Sequence, residues 1–104
     1  MTSLYMVELR PDLTALVRFL RDQGLDTGGG DEDLGYGLHA WLTAAFGDLS
    51  PKPWRLLLDR RRPPRILGYS QSKAEELRQR LHDFADPGVF AVCQDPNMSI
   101  ASKP

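Results

Sequence analysis

The stretch WRLLLDRRRPPRILGYS, residues 54–70, decides the architecture. Two runs suited to strands, 54–59 and 65–70, flank Arg60-Arg61-Arg62-Pro63-Pro64, which has the composition of a turn. This pattern predicts two strands joined by a basic turn. Upstream, Leu34, Leu38, Trp41, Leu42, Ala45 and Phe46 form the apolar stripe of a helix from about Asp33 to Phe46, with Gly47 as terminator. Asp31 and Asp33 both suit its N-cap, and Ser50-Pro51-Lys52-Pro53 connects it to the hairpin. Downstream, Ser72 and Glu75 have capping-box spacing, Ala74, Leu77, Leu81 and Phe84 share a helical face, and Asp86-Pro87-Gly88 ends that helix.

Further out, SLYMVEL (3–9) reads as an opening strand that stops at Arg10-Pro11. Leu13, Leu16, Val17 and Leu20 follow i, i+3, i+4, i+7 within a helix from Asp12 to Gln23, and Gly24 marks its C-terminal stop. Residues 26–33, DTGGGDED, form a loop of three glycines and four acids. At the far end VFAVC (89–93) has the look of a short buried strand, and QDPNMSIASKP contains little that packs alone. The expected fold is therefore α+β: a ferredoxin-like (RRM-like) βαββαβ sandwich with an extra helix after the first strand. Its four antiparallel strands would be covered by helices on one face. Such a fold hosts unrelated functions, so chemistry must come from particular residues.

The 104 residues fit one domain, 41% hydrophobic and 26% charged, which excludes disordered and fibrous classes. Lys and Arg total 13 against 14 Asp and Glu, a formal charge of -1, so whole-molecule charge does not argue for nucleic acid. Cys93, the single cysteine, allows no internal disulfide, and no Cys/His spacing suits zinc. With no signal-like N-terminus and no run of 18 apolar residues, a cytoplasmic protein without a membrane partner is expected.

Tyr36 and His39 stand three residues apart in LGYGLHAWL, so their side chains project roughly 60° apart on one helix side. Relative to the centre of the apolar stripe they lie roughly 160° and 100° away, off the core face. An imidazole titrating near neutrality beside a phenol that donates a hydrogen bond can divide acid-base work, and Gly37 between them leaves room for a substrate. The bland alternative is an ordinary surface pair. The second histidine, His82, reads as a solvated surface group. Lys52, Arg55, Arg60, Arg61, Arg62 and Arg65 place 6 of the 13 basic residues in a 14-residue stretch opposed only by Asp59. Guanidinium forks on a hairpin suit a phosphate backbone, while the alternative is a solubilising turn that protects a sheet edge. Against nucleic acid, residues 22–51 hold six acids and no Lys or Arg. No P-loop and no RNP1-like motif is present, and Trp41 and Trp54 suit packing better than base stacking.

The opening strand SLYMVEL, the helix bearing Tyr36-Gly37-Leu38-His39 before AWLTAAFGD, the segment PKPWRLLLDRRRPPRILGYS and the helix ending HDFADP together resemble the CasE endoribonucleases. These process CRISPR precursor RNA within the type I-E Cascade complex of antiviral defence. The resemblance implies two tandem ferredoxin-like domains, of which residues 1–104 would be the N-terminal one, with a C-terminal domain missing. It implies cleavage without metal or cofactor by attack of an RNA 2′-hydroxyl on its own phosphodiester. His39 would then act as general acid or base, Tyr36 would orient or polarise the reacting groups, and the partners would be CRISPR repeat RNA and Cascade subunits. The alternative function is a noncatalytic RNA- or protein-binding assembly module.

Overall fold

A computed structural model describes residues 4–24, 31–84, 86–93 and 99–103, with the backbone alone for 31–34, 84 and 103. The elements are β1 (Tyr5–Leu9), α1 (Leu13–Asp22), α2 (Asp31–Phe46), β2 (Trp54–Asp59), β3 (Arg62–Ser70), α3 (Ala74–Phe84), the short α4 (Pro87–Phe90) and β4 (Ile100–Lys103). A single 3₁₀ turn follows α2 and another follows α4. The strands form one antiparallel sheet in the order β2-β3-β1-β4. The fold is α+β.

The register separates two faces, because cross-strand partners share a side and neighbours along a strand alternate. Val7 opposes Gly68, Leu9 opposes both Ile66 and Ile100, and Leu56 also opposes Ile66. Val7, Leu9, Ile66 and Ile100 are buried in one core with Leu16 and Leu20 of α1, Leu38, Trp41 and Leu42 of α2, and Leu77 and Leu81 of α3. The helices therefore cover this face. The other face carries Met6 opposite Tyr69, Glu8 opposite Leu67 and Ala101, Arg55 opposite Leu67, and Leu57 opposite Arg65.

Helix α1 starts where Asp12 Oδ1 accepts the amides of Thr14 (2.9 Å) and Ala15 (3.2 Å), an N-cap that satisfies two otherwise orphan donors. Helix α2 ends at Gly47, whose φ of +56° is a left-handed C-terminal stop. It begins at Asp31, so the expected loop over 26–33 yields its last three residues to the helix. Residues 25–30 and the capping roles expected of Asp31 and Asp33 lie outside the described residues and side chains. Trp41 is the anchor of the helical layer: fully buried, it donates from Nε1 to Val89 O at 3.0 Å and meets Phe46 edge to face at 5.7 Å.

Three expectations are corrected. Residues 89–93 are not a strand but α4 and the following 3₁₀ turn; Val89, Val92 and Cys93 are buried at i, i+3, i+4, and Pro87 occupies the helix start. The fourth strand is Ile100–Lys103, in the segment expected to contain little that packs alone. Ile100 fills the core, and its carbonyl accepts from Arg78 Nε (3.1 Å) and a terminal guanidinium nitrogen (2.6 Å) of α3. Finally, Ser72 does not cap α3: its own amide donates to Ser70 Oγ, and the helix begins at Ala74, whose amide donates to Ser102 Oγ of β4 at 2.9 Å.

The hairpin forms as expected, but β3 starts at Arg62 rather than residue 65, leaving Arg60-Arg61 as a two-residue turn. Asp59 Oδ1 accepts the Arg61 amide at 2.9 Å and stabilises the turn. The register shifts between Leu57 and Asp59, so Pro63 and Pro64 sit at a bulge beyond the end of the β1 pairing. There their missing N–H groups cost no ladder bond to β1.

Because Ser102 supplies a helix cap from a distant strand, Ser102→Ala is expected to lose about 1 kcal/mol of stability. Thermal unfolding followed by circular dichroism should show the midpoint lowered by roughly 4–8 °C. An unchanged midpoint would mean that the Ala74 amide is equally satisfied by solvent.

Candidate functional site

Tyr36 and His39 are held by α2, whose opposite side is pinned in the core by Leu38, Trp41 and Leu42. Both are exposed, Tyr36 at 61% of its surface, as the helical-wheel positions predict. The His39 carbonyl accepts from Thr43 Oγ1 at 2.9 Å, one turn later. Gly37 has a different role from the one expected. It is buried, and a Cβ there would fall 2.5 Å from Leu20 Cδ1, so this glycine lets α1 approach α2 instead of making room for substrate.

Of the six basic residues, Lys52, Arg55, Arg60, Arg61 and Arg62 are exposed and make no ion pair with a described residue. Arg65 is half-buried, and one terminal nitrogen lies 3.4 Å from Glu8 Oε1, while Arg10 Nε lies 3.4 Å from Glu8 Oε2. Arg55 and Arg65 belong to the open face of the sheet, whereas His39 and Tyr36 belong to the helical layer that covers the other face. The structure therefore does not bring the acid-base pair and these arginines together. The sheet lies between them.

The open face carries groups that the sequence reading passed over. Met6, Leu67 and Tyr69 line it, and Met6 and Tyr69 are 41% and 44% exposed. A cleft of about 300 Å³ between β1, β3 and β4 is bounded by Met6, Glu8, Arg65, Leu67, Ala101 and Ser102. Beside it, a cleft of about 250 Å³ shares Met6 and Leu67 and adds Trp54, Arg55 and Tyr69. A third, of about 290 Å³, lies beside the connection from α2 to β2 and is lined by Asp48, Lys52, Tyr69, Ser70 and Gln71. The available signal was the alternation of Arg65, Leu67 and Tyr69 along β3, which needs the pairing with β1 and β2 to acquire a face.

The remaining candidates are structural. Cys93 is buried with its thiol 3.9 Å from Arg10 O, and burial pushes its pKa up to about 12, opposed by a hydrogen bond with Ser99. It is no nucleophile near neutral pH. His82 is exposed, 3.3 Å from Asp83, whose carboxyl is held below its ordinary range first by the Gln79 amide and then by His82. Among the described residues no three His, Cys, Asp or Glu side chains are placed to hold a metal, and no helix is long and apolar enough to cross a membrane. No protein-family model, curated protein or solved structure matches this chain.

A Cys93 pKa raised in the folded state means that the native protein holds this proton more tightly than the unfolded chain does. The resulting stability is fully present below the unfolded thiol pKa, roughly 8.5, and is lost as pH rises towards about 12. Denaturant midpoints measured across that window should fall with pH, and less steeply for Cys93→Ala. At pH 8 a thiol reagent should label Cys93 only after denaturant is added. Rapid native labelling would show the thiol to be accessible.

Proposed function

We propose that this chain is the RNA-cleaving domain of a CasE-type CRISPR endoribonuclease, acting in the cytoplasm with Cascade subunits and a second domain as partners. The strand order β2-β3-β1-β4, antiparallel throughout with helices on one face, supports reading the fold as ferredoxin-like, with α2 as the additional helix after the first strand. The observation that carries the function is the exposed Tyr36/His39 pair on a helix whose other side is locked in the core.

In the proposed reaction the 2′-hydroxyl of one nucleotide loses its proton as its oxygen bonds to the adjacent phosphorus. The bond from phosphorus to the 5′-oxygen of the next nucleotide breaks, and that oxygen is protonated as it leaves. The products are a 2′,3′-cyclic phosphate and a 5′-hydroxyl. His39 transfers one of the two protons, and the Tyr36 hydroxyl donates a hydrogen bond to the reacting phosphate or the leaving oxygen. No step requires a metal or cofactor, and the pair needs no pocket of its own if the RNA supplies the other wall.

A hairpin RNA of a CRISPR repeat from the source organism, incubated with the chain in EDTA, should be cut to a 2′,3′-cyclic phosphate product. His39→Ala should lower the rate by roughly 10²- to 10⁴-fold with the far-ultraviolet spectrum unchanged, because an exposed side chain contributes little to folding. Cleavage at the wild-type rate in that variant would remove His39 from the chemistry.

The separation of His39 from Arg55 and Arg65 favours a second function, a noncatalytic module that binds RNA or protein through the basic hairpin. His39→Ala would then be silent. Reversal of Arg60, Arg61 and Arg62 to Glu would weaken partner binding and flatten its salt dependence. A partner affinity untouched by that triple change would exclude the hairpin.

A further inference from the structure

We infer that two copies of this chain join through the free edge of β2, the two strands running antiparallel about a two-fold axis at Leu57, so that two four-stranded sheets become one continuous sheet. The two edges of the sheet differ. On β4 the Ile100 carbonyl is taken by the Arg78 guanidinium at 2.6 and 3.1 Å, so α3 occupies that edge. On β2 no further strand pairs, and Trp54–Asp59 contains neither Pro nor Lys. Nor does it bulge, because the register shift puts the extra residue in β3, at Pro63-Pro64 opposite Leu58. A regular strand left open in this way is a template for another.

The ladder shows which groups are on offer. Tyr69 N donates to Pro53 O at 3.2 Å, so by alternation Arg55 and Leu57 turn their backbone groups towards β3, while Trp54, Leu56 and Leu58 turn theirs outwards. Pairing about Leu57 sets Leu56 opposite Leu58 of the other copy, and both present outward groups. The same register sets Arg55 opposite Asp59 of the other copy, once on each side of the axis. Both side chains are exposed and have no ion pair with a described residue. Moving the axis by one residue would instead set Arg55 opposite Leu57 or Arg61, so the charges select this register. Leu58, 56% exposed, then comes beside Leu56 of the other copy, which already packs against the core. Lys52 of one copy approaches the Arg60-Arg61 turn of the other, and like charges this exposed to water repel only weakly. They gather at the two ends of the junction, beyond the paired strands, where phosphates can still pass between faces. One short strand pair falls below the roughly 1,200 Å² of stable interfaces, so the dimer is weak and reversible.

The test is sedimentation equilibrium of the chain without RNA, from about 10 μM to about 1 mM. The wild type should pass from monomer to dimer and stop there. Arg55→Asp and Asp59→Arg should each weaken the dimer by roughly 5- to 100-fold, because two attractive pairs become two repulsive ones. The variant carrying both changes, and an equimolar mixture of the two single variants, should each recover it, since both restore opposite charges across the axis. Leu58→Lys keeps the charge pairs and should still weaken association. A wild type that stays monomeric, any single variant as tight as the wild type, or failure of both the double variant and the mixture to recover the dimer would overturn the junction. Growth beyond the dimer would do so too, because β2 against β4 of the next copy makes an open chain and not a closed pair. Circular dichroism checks each fold. Arg55→Asp and Leu58→Lys leave the contact of Asp59 with the Arg61 amide in place, and they decide the matter if Asp59→Arg disturbs the turn. Association is read without any cleavage, so it stands or falls separately from the nuclease.

Discussion

Strand β1 has antiparallel neighbours on both edges, so a slip of one residue would exchange Val7 and Leu9 for Met6 and Glu8 along two ladders at once. That exchange would put a carboxylate under the helices and two large apolar side chains in water. The cost of burying an unpaired charge makes the register nearly unique. Both faces of the molecule follow from it. Val7 and Leu9, fully buried, define where α1, α2 and α3 can land, and Met6 and Glu8 define what is left open. The ends of β1 also place the C-terminal segment, since Arg10 N donates to Ser99 O and Asp12 N donates to Val92 O.

Elements whose signal is periodic over several turns were legible in the sequence. Helix α1 was expected over 12–23 and spans 13–22, and the apolar stripe of α2 is the buried side of that helix. The exposure of Tyr36 and His39 followed from the same wheel. What failed was short. Val89, Val92 and Cys93 fit a one-turn helix as well as a buried strand, and a five-residue run holds too few positions to separate a period of 3.6 from one of 2. Strand β4 is worse placed still, because only Ile100 of its four residues is strongly apolar and its stability comes from β1 and from Arg78. The cap from Ser102 to Ala74 could not be read locally at all, since its partners are 28 residues apart. Gly37 shows the converse, a residue correctly singled out whose reason lay in Leu20 on another helix.

Charge distribution explains why the total of -1 conceals the local chemistry. Six acids and no Lys or Arg occupy residues 22–51, and six of the 13 basic residues follow between Lys52 and Arg65, on the hairpin and just before it. In the fold α2 carries none of the basic residues, and the hairpin carries arginines. Glu8 is the acid of β1, and its two arginine partners leave it little field to project onto the open face. Ion pairs this exposed add little to stability, so their effect is mainly to set which cations remain free.

An RNA that touches both His39 and Arg55 must pass around an edge of the sheet, because the sheet separates them. Two edges exist, β4 and β2. Along β4 lie Ile100, which is buried, Ala101, Ser102 and a single basic residue, Lys103. Along β2 lie Arg55 and then the Arg60-Arg61 turn, with Lys52 just before the strand. Phosphates drawn by Coulombic attraction over about one Debye length would follow the β2 edge. The basic hairpin would then guide the strand between two faces instead of serving either one. Under the RNA-cleaving function proposed above, the hairpin arginines would raise affinity without approaching the scissile phosphate, so their distance from the Tyr36/His39 pair would not conflict with it.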